Sequence, residues 1–380
     1  MTPALAMTPA LALGQLADPA ELDVALRPEL EAHEPPEARG ASRADVRLMV
    51  SRAAAGDISH HGFDALPGLL LPGDLLVVNN SATLPAAVAV TAAPAELAGS
   101  GQLTVHFSTA MPEGGWLVEL RSGRAEATVP FGGGAAGLAI ELPAGAVLTL
   151  DRRFSQRLWH AGLSTAVVPY LLRHGQPIRY SYVRRPWPIE AYQTVFATWP
   201  GSAEMPGAAR PFTPEIVTRL VSRGVTIAPV TLHTGVSSLE GGEDPYPESY
   251  DVPATTARLV NLTRQSGGRV IAAGTTVVRA LESAALSRDT AIARAAVLTT
   301  AGPAAGPVAA AAGWTSHVVT RQTGVAVIDG LLTGLHEPRS THLWMLAAFA
   351  DDTLLRRCYQ DAAERGYRWH EFGDVHLLLP

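Results

Sequence analysis

The spacing of apolar positions changes character twice along this chain. Asp45–Ile58 reads as a strand and turn, and Leu75–Val78 is a solid apolar run between the turn Pro72-Gly73-Asp74 and the pair Asn79-Asn80. From about Leu84 to Leu150 the runs become short and alternating, broken by Gly and Pro: QLTVHFS, GWLVELR, AEATVPF, GLAIELP and AVLTL. Short strands at this spacing predict a small sandwich or barrel. From Gly224 the rhythm lengthens again. GVTIAPVTL, RVIAAG and VAVIDGLL read as strands, PATTARLVNLTRQSGG and TTVVRALESAALSR as helices, and STHLWMLAAFADDTLLRRCYQDAAERG as one broken or two consecutive helices. Strands alternating with helices predict a mostly parallel sheet with covering helices. The expected architecture is therefore α/β, a mostly parallel sheet interrupted by an inserted all-β barrel. In residue terms, 1–20 form a disordered tail, 21–82 and 160–380 the α/β catalytic domain, and 83–159 the barrel.

Composition narrows the chemistry. The 380 residues suffice for two cores, and no apolar run approaches the ~20 residues of a membrane helix. The opening MTPALAMTPALALGQ lacks a basic segment and is broken by Pro, so a cytoplasmic protein is expected. None of the 29 basic residues is a lysine. That removes Schiff-base chemistry, pyridoxal phosphate attachment and the Walker A loop. The single Cys358, in the amphipathic stretch LLRRCYQDAAERG, excludes a disulfide framework and reads as a buried structural thiol. His33-Glu34, His336-Glu337 and His370-Glu371 each begin a zincin motif, yet none has a second His four residues on, so no metal is expected. His60-His61 reads as a solvent-facing turn. Gly132-Gly133-Gly134-Ala135-Ala136-Gly137 has the letters of a dinucleotide fingerprint but precedes a strand, and reads as a hairpin turn.

Three strand ends carry the candidate chemistry. Gly274-Thr275-Thr276 joins RVIAAG to a helix, and the free N–H groups of a helix start suit a carboxylate or phosphate. Arg279 lies one turn on, with Glu282 at i+3. Thr231-Leu232-His233-Thr234-Gly235 ends a second strand, and Gly334-Leu335-His336-Glu337-Pro338-Arg339-Ser340-Thr341 ends a third. Ser340 or Thr341 also suits a helix cap. Asp374, in Phe372-Gly373-Asp374, is either a site carboxylate or a turn residue. Between Asp151 and Arg185, seven arginines (152, 153, 157, 173, 179, 184, 185) interleave with Trp159, Tyr170, Tyr180 and Tyr182. Arg neutralises phosphate and aromatics stack on bases, so this strip is a candidate RNA-facing surface or a solvated one. The net charge of −6 argues against a wholly basic exterior.

Together these clusters resemble the S-adenosylmethionine:tRNA ribosyltransferase-isomerases of queuosine synthesis. Pro72-Gly73-Asp74-Leu75-Leu76-Val77-Val78-Asn79-Asn80 is similar to that family's P-G-D-L-L-V-x-N-N, and Tyr192-Gln193-Thr194-Val195-Phe196 to its Y-Q-T-V-[YF]. Gly274 through Ser283 resembles G-T-T-x-V-R-x-L-E-S, and His336-Glu337-Pro338-Arg339-Ser340-Thr341 resembles H-x-P-x-S-T. Tyr367-Arg368 and Phe372-Gly373-Asp374 resemble the closing Y-R and Y-G-D. The chain departs from the family where Pro211 replaces a His and where Tyr246-Pro247-Glu248 keeps only the acid of H-x-E.

The resemblance implies a cytoplasmic, metal-independent enzyme, expected to be a monomer, with tRNA as partner and S-adenosylmethionine as co-substrate. The ribosyl part of S-adenosylmethionine would move to the aminomethyl group of a 7-deazaguanine in tRNA and isomerise to give epoxyqueuosine, releasing adenine and methionine. It implies His233 as base, His336 assisting proton transfer and Glu282 orienting Arg279. Gly274, Thr275, Thr276, Arg279, Ser340 and Thr341 would hold S-adenosylmethionine, and Asn79, Asn80, Tyr192, Glu248 and Asp374 the acceptor. The alternatives are a paralogue with a small-molecule acceptor, and a nucleoside- or RNA-binding protein with weakened catalysis.

Overall fold

The computed structural model describes residues 27–92, 94, 97, 101–123, 128–236, 246–296, 308–336 and 341–380. The predicted tail, 1–20, lies outside them. In chain order the strands are β1 (Arg47–Arg52), β2 (Asp57–Gly62), β3 (Leu75–Asn79), β4 (Ser81–Thr83), β5 (Ala87–Ala89), β6 (Leu103–Ala110), β7 (Trp116–Ser122), β8 (Val129–Pro130), β9 (Ala139–Leu142), β10 (Ala146–Arg153), β11 (Leu158–Leu163), β12 (Trp199–Ser202), β13 (Thr226–Leu232), β14 (Glu248–Val252), β15 (Val270–Ala273), β16 (Ala311–Thr315), β17 (Gly330–Gly334) and β18 (Val375–Leu379). The α-helices are α1 (Leu66–Leu69), α2 (Val167–His174), α3 (Pro214–Ser222), α4 (Ala254–Gln265), α5 (Thr275–Ala296), α6 (Thr341–Leu346) and α7 (Asp352–Glu364).

A nine-stranded sheet in the order β16-β14-β13-β3-β15-β17-β18-β1-β2 forms the centre. Its central strands β3 and β15 are largely apolar runs because both faces are covered. Leu75 and Val77 of β3 join one core with residues of α4, α5, α6 and α7, while Leu76 and Val78 join the other with α1 and α3. β15 divides in the same way, Val270 and Ala272 against Ile271 and Ala273. This is the two-residue period of a strand buried on both sides.

The sheet is mixed, which corrects the expectation of a mostly parallel one. The central run β13-β3-β15-β17 is parallel throughout. β18 is antiparallel to β17 and parallel to β1, while β2, β14 and β16 each pair antiparallel to their neighbour. Strand–helix alternation marks crossovers, and parallel neighbours need crossovers, but antiparallel additions at the flanks leave no such trace in the pattern. The strand read at VAVIDGLL also begins later, at Gly330. The N–H groups of Ala326 and Val327 are taken by the Glu282 carboxylate (2.8 and 3.1 Å), and Asp329 accepts from Val270 N–H (2.8 Å). His60 and His61 stand in β2 rather than in a turn, with His60 bridging Tyr367 and Asp361 at 2.7 Å each. Cys358 is buried on α7, as expected, and burial pushes its thiol up to about 11.

The inserted strands form a nearly closed antiparallel sheet, β5-β6-β7-β11-β10-β9, with β8 paired to β7. A bridge from Ala92 to Glu141 links its two ends. The Gly132–Gly134 stretch connects β8 to β9, which do not pair, so it is not a hairpin turn. Trp159 and Tyr170 belong to the core of this sheet, and Arg157 is buried against Glu119 at 3.3 Å. These three therefore leave the proposed RNA-facing strip. Among the described residues no helix is long and apolar enough to cross a membrane.

One side chain ties the parallel strands together where they end. The Asn79 amide, fully buried, donates to Leu232 C=O (2.9 Å) and Thr276 Oγ1 (3.1 Å) and accepts from Leu232 N–H (3.1 Å) and Ser81 N–H (3.0 Å). It thus joins β3, β4, β13 and the start of α5. Asn79→Ala strands these partners without water, and the expected loss is about 3 kcal/mol in a denaturant titration.

Candidate functional site

Because β13, β3, β15 and β17 are parallel, their carboxyl ends share one edge, the usual place for a site in an α/β sheet. The antiparallel strands reach that edge by the opposite end. β14 begins there with Glu248, and β18 begins there after Phe372-Gly373-Asp374. A cavity of about 370 Å³ opens along it. Its lining includes Thr234 and Gly235 after β13, Gly274–Thr276 after β15, Thr333 and Gly334 at the end of β17 with His336 beyond it, and His370–Asp374 leading into Val375 of β18. The barrel closes over this edge through Ser108, which accepts from Val236 N–H at 3.0 Å, and Ala110, whose carbonyl accepts from Trp314 Nε1 at 3.3 Å.

The first turn of α5 brings unpaired backbone donors to the wall. Gly274 holds φ at 104°, which favours glycine, and lets the chain turn from β15 into the helix beside Ala208. Thr276 is turned inward to Asn79, leaving Thr275 half-buried at the cavity. Arg279 also lines the cavity, but its guanidinium is spent on an ion pair with Glu248, on His317 C=O (3.2 Å) and on Thr315 C=O (3.2 Å). Glu248 in turn accepts from Gly235 N–H at 2.9 Å. Cation and anion cancel.

Imidazoles and one carboxyl supply the titratable groups. His317, His336, His342 and His370 all line the cavity. His336 stacks on His342 with centroids 3.9 Å apart and planes 7° off parallel, and its Nε2 lies 3.4 Å from Thr333 Oγ1. Burial lowers His317 to about 4, with Arg279 adding to it, and lowers His342 to about 4 in the same way. His336 falls well below the ordinary imidazole value, by burial first and then by its neighbours His342 and His370. These rings are therefore neutral at pH 7. The Glu371 carboxyl moves the other way, pushed up to about 8 by burial and by nearby Glu204. Among the described residues no group of three or more His, Cys, Asp or Glu is arranged to hold a metal ion.

A family model described as "Queuosine biosynthesis protein" matches residues 20–378. This chain belongs to the queuosine biosynthesis protein family. A protein of Chlorobium luteolum named S-adenosylmethionine:tRNA ribosyltransferase-isomerase is 34% identical over 375 residues, covering 95% of this chain and 99% of that protein. One of the same name from Thermotoga maritima is 30% identical, covering 94% and 99%. The crystal structure of S-adenosylmethionine tRNA ribosyltransferase from Thermotoga maritima aligns with a TM-score of 0.50 at 27% identity, covering 95% of this chain and all of that one.

In this queuosine-family chain the residues singled out from sequence fall into two groups. Gly274, Thr275, Thr276, Arg279, Glu248, His336 and Asp374 line the cavity. Asp374 nevertheless spends its oxygens on Arg47 (2.9 Å) and the N–H groups of Arg47 and Arg368 (2.7 Å each). The others are placed differently. His233 is not on the cavity wall; its ring lies over Gly201, where a Cβ would meet it at 2.4 Å, and its Nδ1 contacts Ser81 Oγ at 2.7 Å. Glu282 does not orient Arg279, because its carboxylate holds the 326–327 backbone and the Arg279 partner is Glu248. Asn79 is consumed by the strand-end bonds, and Asn80 accepts from Thr231 Oγ1 at 2.6 Å. Tyr192 is buried behind the wall, packed against Phe372 with ring centroids 5.3 Å apart. Ser340 lies outside the described residues, as does the side chain of Thr341, the first residue of α6.

The sequence reading missed His317, His342, Glu204 and the cavity role of Tyr180, Tyr182, His370 and Glu371. In the sequence His370-Glu371 reads only as the start of a metal motif.

The shifted groups give opposite pH signatures. Glu371 binds its proton more tightly folded than unfolded, so it costs the fold nothing below about 4.5 and progressively more up to about 8. Chemical denaturation from pH 4 to 9 should show Glu371→Gln gaining stability over the parent through that window. The histidines act in the reverse sense. Neutral when folded, they favour folding above pH 6.5, and that contribution is lost as pH falls towards 4.

Proposed function

We propose that this chain is an S-adenosylmethionine:tRNA ribosyltransferase-isomerase, moving and rearranging the ribosyl part of S-adenosylmethionine on an aminomethyl-deazaguanine of tRNA. The observation that carries this reading is one cavity that joins a helix start, free to take an anion, with imidazoles held neutral by burial. A cavity of about 370 Å³ is in the range of small-molecule sites. The residues fit the co-substrate. The α5 N-terminus with Thr275 suits its carboxylate, and the apolar wall of Pro206, Val318, Val319 and Met345 suits its nucleoside. Bound there, S-adenosylmethionine supplies a sulfonium that acidifies the neighbouring C5′ protons and serves as a leaving group.

His336 is the proton acceptor in this scheme. A neutral imidazole has a free lone pair, and its stack on His342 and contact with Thr333 fix the ring plane. His233 acts from behind the wall. Through Ser81, which also contacts Ser202 Oγ at 2.6 Å, it braces β4 and β12 beside the end of β13. Arg279 and Glu248 supply a neutral, fixed wall rather than a free charge.

The outer rim on the acceptor side carries arginines. Exposed Arg184 and Arg185 flank Tyr180 and Tyr182 at the cavity, and the Arg185 guanidinium lies 4.1 Å from the Trp187 ring centroid. Such a rim suits the phosphates around an extruded base.

Adenine release from S-adenosylmethionine, followed by chromatography, tests the assignment. Release is expected with tRNA carrying the aminomethyl base; release with the free base alone would point to a small-molecule acceptor, and no release with either would remove the reading. His336→Ala should lower kcat by about 100-fold or more, as expected for loss of a proton acceptor. His233→Ala should cost less and melt earlier. For the rim, Arg184→Ala with Arg185→Ala should weaken tRNA binding and flatten its log–log salt dependence by about 2.

A further inference from the structure

One part of the cavity is unused by the scheme above. Tyr180, Tyr182 and His370 form a ladder of rings, with Tyr180 and Tyr182 stacked at 5.9 Å and 19°, and Tyr182 and His370 at 4.1 Å and 11°. His370 keeps its place in the ladder with φ at 71°, an unfavourable angle for a residue with a Cβ. Its N–H donates to Leu335 C=O at 3.3 Å and its carbonyl accepts from Gly373 N–H at 2.9 Å. Beside the ladder stand two carboxyls. Glu204 accepts from the Tyr180 hydroxyl, and Glu371 Oε2 accepts from the Tyr182 hydroxyl at 3.2 Å. Glu371 Oε1 is buried and has no hydrogen-bond partner.

A buried carboxyl oxygen without a donor is costly, and natural folds seldom leave one unless a ligand completes it. Two adjacent acids favour a cation. Parallel aromatic faces favour a flat ring. The molecule meeting all three demands is a planar heterocycle that carries a protonated amine.

We infer that Glu371 and Glu204, with the Tyr180–Tyr182–His370 ladder, form the subsite for the acceptor base, Glu371 Oε1 receiving the N–H groups of its aminomethyl substituent. This rests on the ribosyl-transfer reading. The ladder is the RNA side of the cavity, since the exposed Arg184 and Arg185 follow Tyr182 after one residue, Val183. The amine arrives as an ammonium, whose nitrogen has no free lone pair. Transfer of one proton from that ammonium to the Glu371 carboxylate leaves a neutral amine and a carboxylic acid, and the freed pair can then form the bond to carbon. A carboxyl pushed up to about 8 is a better proton acceptor than an ordinary one. The charged and titratable groups that face it are Glu204, Tyr182, Tyr192 and Arg210.

Steady-state adenine release by the full chain, with S-adenosylmethionine and tRNA bearing either the aminomethyl base or guanine, tests this. Glu371→Gln should lower kcat/KM for the aminomethyl tRNA by about 100-fold and leave the KM for S-adenosylmethionine unchanged. The rising limb near pH 8 in the parent profile should vanish, and so should the preference for aminomethyl over guanine tRNA in competition binding. Glu204→Gln and Tyr182→Leu should shift the same preference, which covers a Glu371→Gln protein that fails to fold. An active parent whose Glu371→Gln variant keeps its acceptor kcat/KM and pH profile overturns the inference alone. So does a defect confined to the KM for S-adenosylmethionine. A parent that releases no adenine with the aminomethyl tRNA overturns the ribosyl-transfer reading along with it.

Discussion

The site depends on a single buried amide. Four parallel strands must stop together for their ends to make one wall, and a stopped strand exposes backbone groups that its neighbours no longer satisfy. Asn79 meets that need in a fully buried position, using both its N–H groups and its carbonyl on β13, β4 and the start of α5. The same bonds that finish the sheet therefore aim the first turn of α5. Position of the helix start and integrity of the sheet edge are one constraint.

From that edge the rest follows by strand direction. A parallel strand delivers residues after its end and an antiparallel strand delivers residues before its start, so the mixed sheet brings more of the chain to one place than a purely parallel one could. Glu248 at the start of β14 and the 370–374 segment before β18 reach the cavity because those strands run antiparallel to their neighbours. The antiparallel strands are thus what bring Glu248, Glu371 and Asp374 to the same edge as the parallel strand ends.

Much of this was legible in the residues. The solid apolar runs gave the buried strands, the alternating segment gave the barrel-like sheet, and Gly274-Thr275-Thr276 gave the helix start at the cavity. What was not legible has two causes. Polar residues at strand ends are chosen both to finish a sheet and to meet a ligand, and letters alone do not separate Asn79, which is consumed within the fold, from Thr275, which is not. Contacts distant in sequence were the second cause. Nothing local pairs Arg279 with Glu248 rather than with Glu282 three residues away, because the outcome depends on β14 arriving antiparallel beside β13. Likewise Tyr182 and His370 stack across nearly half the chain. The one available signal was that His370-Glu371 and Tyr180/Tyr182 are aromatic and titratable residues left over once metal and barrel-core readings fail.

The electrostatic character of the cavity follows from these placements. Burial strips His317, His336 and His342 of charge, and Arg279 is cancelled by Glu248. Two polar features stand out, the positive end of the α5 dipole and the adjacent carboxyls Glu204 and Glu371. A cavity with silenced walls and two poles of opposite sign discriminates by charge at its poles and by shape between them. It favours a carboxylate at one and an amine at the other. For the proposed reaction S-adenosylmethionine brings a carboxylate along with its own α-ammonium, and the modified base brings the aminomethyl group. The burial that costs the histidines their basicity thus also gives the site its polarity.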